Sequence, residues 1–212
     1  ALFQTQTRQK DSEKTASFRL MPTPLPFSAV AVLDPALVFS FPRQPQFDRQ
    51  MQSELKTWLA NARKNHADAC YARVYTMSLA TSMELLEFLS EEIPLLVPAC
   101  FFPTSITSIA FHHRSAEKEL LPPGPYLQGI SCHGLDDLLE AEKRGFDYAF
   151  LSPVFSTATH PDHPPLGTEG LQEAAAAVKI PVIALGGVTQ ENAVACLEAD
   201  AKGWAAIRAF MR

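Results

Sequence analysis

The residues best suited to chemistry lie in three short stretches. Thr157-Ala158-Thr159-His160 sets two hydroxyls, an imidazole and free backbone amides in one polar loop. Pro161, Pro164 and Pro165 stiffen that loop until Gly167 releases the chain into a helix. Such a loop can hold an anion, although a Thr-rich loop taken alone is more often an ordinary surface connection. Gly186-Gly187 leaves the backbone bare ahead of a helix that Thr189 is expected to cap, so N–H groups can approach a phosphate. Without its context the pair would signify only a turn. Ile207-Arg208 adds a fixed positive charge close by in the expected fold. In Ser131-Cys132-His133, strand alternation puts Ser131 and His133 on one face and Cys132 on the other. Ser131, His133 and His160 are the candidate catalytic side chains, with His133 as a mere cap of the next helix the plainer alternative.

These residues need a scaffold that brings distant loops to one end. Short apolar runs at Ala29–Leu33, Cys70–Tyr75, Leu95–Pro98, Ser108–His112, Tyr126–Cys132, Tyr148–Ser152, Pro181–Leu185 and Trp204–Ile207 read as strands buried on both faces. Helical spacing lies between most of them. Asp48 to Asn65 repeats Met51, Leu55, Trp58, Leu59 and Ala62; Thr81 to Glu84 reads as a capping box ahead of Leu85, Leu86, Phe88 and Leu89. Leu135 to Arg144 is expected to bury Leu135, Leu138 and Leu139 and to stop at Gly145; a further helix is expected over Glu169–Val178. After the fourth strand only a ragged Glu-rich segment stands where a helix belongs. Eight strands alternating with helices predict a (β/α)₈ barrel, whose sites lie just beyond the C-terminal ends of the strands. Arg212 follows the last strand closely, so the eighth helix is expected to be absent or truncated. Residues 1–26 are polar and Pro-rich and read as an arm or linker, with the barrel over 27–212.

Composition narrows the function classes. At 212 residues and 47% hydrophobic content, one large α/β domain is expected. The net charge of −5 comes without a Lys/Arg run, which argues against nucleic acid or an anionic membrane surface as partner. No apolar stretch approaches the roughly 18 residues of a membrane span, and the N-terminus is too polar for a secretion signal, so a cytoplasmic location is expected. The 4 cysteines are widely spaced and read as reduced thiols.

At this point the sequence resembles a known family. Gly129-Ile-Ser131-Cys-His133 matches the G-x-S-x-H of thiamine phosphate synthases and their relatives, the thiazole tautomerases. Ser152-Pro-Val-Phe155 is similar to G-P-V-F, Thr157 to His160 to T-x-T-K, Pro165 to Gly170 to P-L-G-x-E-G, and Ile180 to Gly187 to I-P-V-x-A-I-G-G. The motifs are collinear from Gly129 onward. The resemblance implies a (β/α)₈ barrel that binds a thiazole phosphate, or thiamine phosphate, at Thr157, Ala158, Thr159, Gly187, Ile207 and Arg208. The ending Ala205 to Arg208 resembles a variant of this domain fused behind Nudix hydrolases, which implies a fused or separate Nudix hydrolase domain as partner.

The N-terminal half departs from the pattern. Where the family holds a diphosphate with Gln-x-Arg-x-Lys, this chain has Arg73, Tyr75 and Met77. Where it binds Mg²⁺ with two Asp residues, this chain has about Pro98-Ala99 and His113 to Ala116, without a carboxylate. No cofactor is expected, and Mg²⁺ would enter only through the oxygens of a substrate diphosphate. Arg73, His112, His113 and Arg114 are the candidate substitute cations. The chain therefore reads as a synthase coupling thiazole phosphate to a pyrimidine diphosphate, as a non-catalytic module capturing thiamine phosphate, or as a different small-molecule enzyme using His133 or His160.

Overall fold

The structure, a computed structural model, describes residues 24–39, 46–157 and 164–211. Eight parallel strands close into a barrel in sequential order: β1 (Ala29–Leu33), β2 (Ala69–Ala72), β3 (Leu95–Pro98), β4 (Ala110–His113), β5 (Leu127–Cys132), β6 (Tyr148–Leu151), β7 (Val182–Ala184) and β8 (Gly203–Ala206). The helices are α1 (Pro35–Val38), α2 (Arg49–Lys64), α3 (Leu79–Glu92), α4 (Leu135–Arg144), α5 (Gly167–Ala176) and α6 (Ala193–Glu198). The expected barrel is present. After β8 the described chain makes a 3₁₀ turn, Arg208–Phe210, and the connection from β4 to β5 holds no helix, as its ragged pattern suggested.

Strand alternation sorts the core into two layers. Val30, Val32, Tyr71, Leu96, Tyr148, Phe150 and Ile183 fill the barrel interior, whereas Ala31, Leu33, Cys70, Leu95, Cys132 and Ala149 face the helices. The interior is crowded at Gly129, where an added Cβ would fall 2.0 Å from the Tyr148 ring of the neighbouring strand. Glycine there lets an aromatic side chain cross the barrel. On the outer layer, α2 buries the five apolar residues its spacing marks, and Asp48 caps it by accepting from Met51 N–H at 2.9 Å.

Several expectations shift. The cap of α3 is Ser78, whose hydroxyl accepts from Thr81 N–H at 3.2 Å, so Thr81 lies inside the helix and the Thr81–Glu84 capping box is not the start. Leu138 of α4 is buried, but Leu135 and Leu139 remain 42% and 43% exposed because they flank the buried stripe. Gly145 ends that helix at φ 90°, the left-handed position expected of it. Residue 192, an Asn, occupies the cap of α6. One turn earlier Thr189 and Asn192 are reciprocal partners: Thr189 N–H donates to Asn192 Oδ1 at 2.8 Å, and Asn192 N–H to the Thr189 hydroxyl at 3.4 Å. The strand expected to reach Tyr75 ends at Ala72, where the chain turns with Val74 N–H bonded to Ala72 O. Of the expected arm, residues 1–23 lie outside the described residues; Leu25 packs against the interior layer and Phe27 is buried.

Candidate functional site

The C-terminal ends of the strands surround two adjoining cavities that share Arg73, Ser152, Leu185 and Ile207. The first, about 270 Å³, is lined by Arg73, Ser152, Ser156, Thr157, the segment Leu185 to Thr189, and Ala206 to Arg208. The second, about 230 Å³, lies over β2, β4 and β5 and is lined by Tyr71, Tyr75, Arg114, Ser115, Ser131 and His133 beside the shared residues.

Two glycines shape the first cavity. Gly186 and Gly187 hold φ of 88° and 67°, a left-handed backbone that other residues rarely adopt. A Cβ on Gly187 would lie 2.5 Å from Ser156 O and 2.7 Å from Phe155 Cβ, so the loop after β7 and the loop after β6 press together there. Phe155 N–H donates to Gly186 O at 2.9 Å and fixes the same contact. Neither glycine N–H joins a backbone hydrogen bond among the described residues. Asn192 Nδ2 donates to Gly187 O at 3.1 Å and holds the peptide from the far side. Gly186, Gly187, Thr157, Arg208 and Arg73 thus line one cavity. That combination suits an anion the size of a phosphate.

The second cavity is built from side chains. Alternation that persists past the end of β2 brings the hydroxyls of Tyr71 and Tyr75 to 2.7 Å. Arg114 stacks over the Tyr75 ring at 5.0 Å and is held by Glu117, with Nε donating to Oε1 at 2.8 Å. Arg73 faces both cavities, with Asp34 at 3.6 Å. His133 Nδ1 lies 3.0 Å from Ser152 O; a carbonyl only accepts, so this nitrogen carries the proton. His133 N–H donates to Asp137 Oδ2, while the cap position of α4 is Gly134. Ser131 shares the cavity with His133, and Cys132 packs among the helices, as alternation required.

Thr157, Gly186, Gly187, Ile207, Arg208 and Arg73 converge on the first cavity; Ser131 and His133 join Arg73 and Ile207 in the second. Ala158, Thr159 and His160 lie outside the described residues. His112 and His113 do not serve as cations. His112 is completely buried inside the barrel, and burial, with His113 and Arg73 nearby, lowers its pKa from 6.5 to about 3. His113 points outward against Phe146 at 5.1 Å, and burial lowers its pKa too. Tyr71 was not singled out from sequence, although its period-two relation to Arg73 and Tyr75 marks it.

The donors do not suit a resident Mg²⁺, which takes oxygen ligands and favours carboxylates. The second cavity offers hydroxyls, an imidazole and guanidiniums, and no carboxylate stands among its described lining residues. Among the described residues, no group of three or more His, Cys, Asp or Glu side chains is arranged to hold a metal ion.

Fold and cavity together define a (β/α)₈ barrel with a cavity between the loops after β6, β7 and β8; phosphate sites recur beside the last two of these loops in this architecture. Residues 115–210 match the family model of thiamine monophosphate synthase. Over 94 residues the chain is 42% identical to the thiamine-phosphate synthase of Pyrococcus furiosus, and over 89 residues 40% identical to that of Chloroflexus aurantiacus. These alignments cover 44% and 42% of this chain and 44% and 41% of those proteins, so the chain aligns with less than half the length of either relative. The likeness in fold extends further. A solved thiamine phosphate pyrophosphorylase from Pyrococcus furiosus superposes with a TM-score of 0.66, covering 87% of each chain at 24% identity. An N-acetylmannosamine-6-phosphate 2-epimerase from Clostridium perfringens gives a TM-score of 0.56 at 15% identity, over 86% of this chain and 87% of that one. No described helix is long and apolar enough to cross a membrane.

Proposed function

We propose that the barrel binds thiazole phosphate or thiamine phosphate, as a thiamine phosphate synthase-like protein of thiamine biosynthesis or salvage in the cytoplasm. The observation that carries this reading is the first cavity, where Gly187, Thr157 and Arg208 line a space with room for a phosphate and part of the ring it carries, within the segment that matches the family model. Ala158, Thr159 and His160 complete the same loop in sequence. Backbone amides and guanidiniums hold the phosphate, and the ring extends toward the second cavity past Arg73 and Ile207. A Nudix hydrolase domain, fused or separate, is the partner this reading points to. Calorimetric titration with thiazole phosphate and thiamine phosphate tests it. Micromolar binding of either is expected; no binding of both would end the reading.

The composition of the second cavity favours capture of the ligand over coupling. Joining thiazole phosphate to a pyrimidine diphosphate requires stabilising a departing diphosphate, and the charge available for that is on Arg73 and Arg114, the latter already paired with Glu117. The coupling reading makes a separate claim. Mixing the two substrates and following thiamine phosphate should give no turnover above background, with Mg²⁺ or with chelator. Mg²⁺-dependent turnover would establish the synthase instead and would point to oxygen donors such as Asp34 or Glu117.

A further inference from the structure

Inside the barrel, below the second cavity, three side chains form a hydrogen-bonded row. Tyr148 Oη lies 3.2 Å from His112 Nδ1, and His112 Nε2 lies 3.0 Å from Ser131 Oγ. Tyr148 and His112 are fully buried, whereas Ser131 is half-buried and lines the cavity. A neutral imidazole has one N–H and one acceptor nitrogen, so the row can run in only two directions. If Nδ1 carried the proton, it would donate to Tyr148 Oη; the phenol's own proton would then face an apolar interior, because His112 is its one hydrogen-bonding partner among the described residues. If Nε2 carries it, Tyr148 donates to Nδ1 and Nε2–H donates to Ser131, which leaves only the serine proton to place. That proton has the cavity before it. An unmet donor is costly in the buried interior and costs little at a cavity that holds water or ligand, so the second direction wins.

We infer that Tyr148 and His112 fix Ser131 as a hydrogen-bond donor into the second cavity, so that the ligand group placed there must be an acceptor, such as an aromatic ring nitrogen. His112 is thus a positioning residue that acts through Ser131. Its ring is clamped for the purpose, with Tyr71 at 4.6 Å on one side and Phe150 at 4.3 Å on another. Burial keeps the imidazole neutral across the working pH range, so the row does not reverse by titration. The donor assignment stands on the protein alone; its effect on thiamine phosphate rests on the proposed function.

Nitrogen NMR of the imidazole in ligand-free protein at neutral pH reads the direction of the row. The expected result is a proton on His112 Nε2 and a bare, hydrogen-bonded Nδ1. A proton on Nδ1, or on both nitrogens, would overturn the inference. A second measurement is a double-mutant cycle on thiamine phosphate affinity. Ser131→Ala should weaken binding by about tenfold. In that background His112→Phe should change Kd by less than about twofold, although it weakens binding when Ser131 is present. Independent, multiplying effects would show that His112 does not act through Ser131. If thiamine phosphate does not bind the parent protein, the proposed function falls, and the NMR measurement still decides the direction of the row.

Discussion

The two cavities at the mouth of this barrel sit side by side on equivalent strand ends, yet they are made of different material. The first is backbone: left-handed glycines, two loops in contact and a threonine, with arginines at its edge. The second is side chain: a tyrosine pair, a stacked arginine, and a serine and histidine held from beneath. A backbone anion site tolerates little change, because every added atom meets another main chain. A side-chain site can lose one chemistry and acquire another through single substitutions. The first cavity lies largely within the segment from 115 to 210 that matches the thiamine monophosphate synthase model, whereas the second also draws on the ends of β2 and β4, before that segment.

The comparison is broken most severely at Gly187. Gly187→Asp places a Cβ against Ser156 O and a carboxylate in the anion's place; phosphate-ligand affinity should fall by roughly a hundredfold or more. The forced left-handed backbone should also cost ~1–3 kcal/mol of stability, seen in chemical denaturation. Wild-type affinity in this variant would sink the site assignment. Arg208→Ala tests the charge at the edge of the same cavity. Its guanidinium is exposed, so solvent screening limits the expected loss to about tenfold, smaller at high salt and measurable by titration.

Acidity separates the barrel's interior from its mouth. The folded protein holds His112 near pKa 3, against 6.5 for the free group, so below pH 6.5 the unfolded chain binds more protons than the native one. Stability is complete above that value and falls as pH drops toward 3; His113 acts in the same direction. Denaturant titrations at pH 7 and 5.5 should differ by on the order of 1 kcal/mol. A pH-independent midpoint across that range would show that His112 is not buried as described. The smallest effect concerns Mg²⁺. If the ligand is held by amides and guanidiniums, Kd for thiamine phosphate should change by less than about twofold between Mg²⁺ and EDTA, whereas a strong dependence would place metal ligands at the mouth.

Much of the barrel was legible in the sequence because each element carries a local signal. Buried strands read as short apolar runs, α2 shows its stripe, and Gly145 marks a left-handed stop. The lining of the first cavity was legible too, since left-handed glycines and fixed cations announce themselves by residue type. Errors arose where local signals compete. Thr81 and Ser78 both suit a cap by residue type, and in the structure Ser78 takes it while Thr81 is buried in the first turn. Leu135 and Leu139 look like core residues until the angle at which α4 lies on the barrel turns them outward.

The sequence by itself determined the alternation of strands and helices, the bare backbone at Gly186 and Gly187, and the shared face of Ser131 and His133. Only the tertiary structure decided the charge and direction of His112. Its residue type allows a cation, a base or a spacer, and the choice depends on Tyr148 and Ser131, 36 and 19 residues away along the chain. Barrel closure places those two beside it and removes water from all but the serine, which converts a possible cation into a neutral, oriented donor.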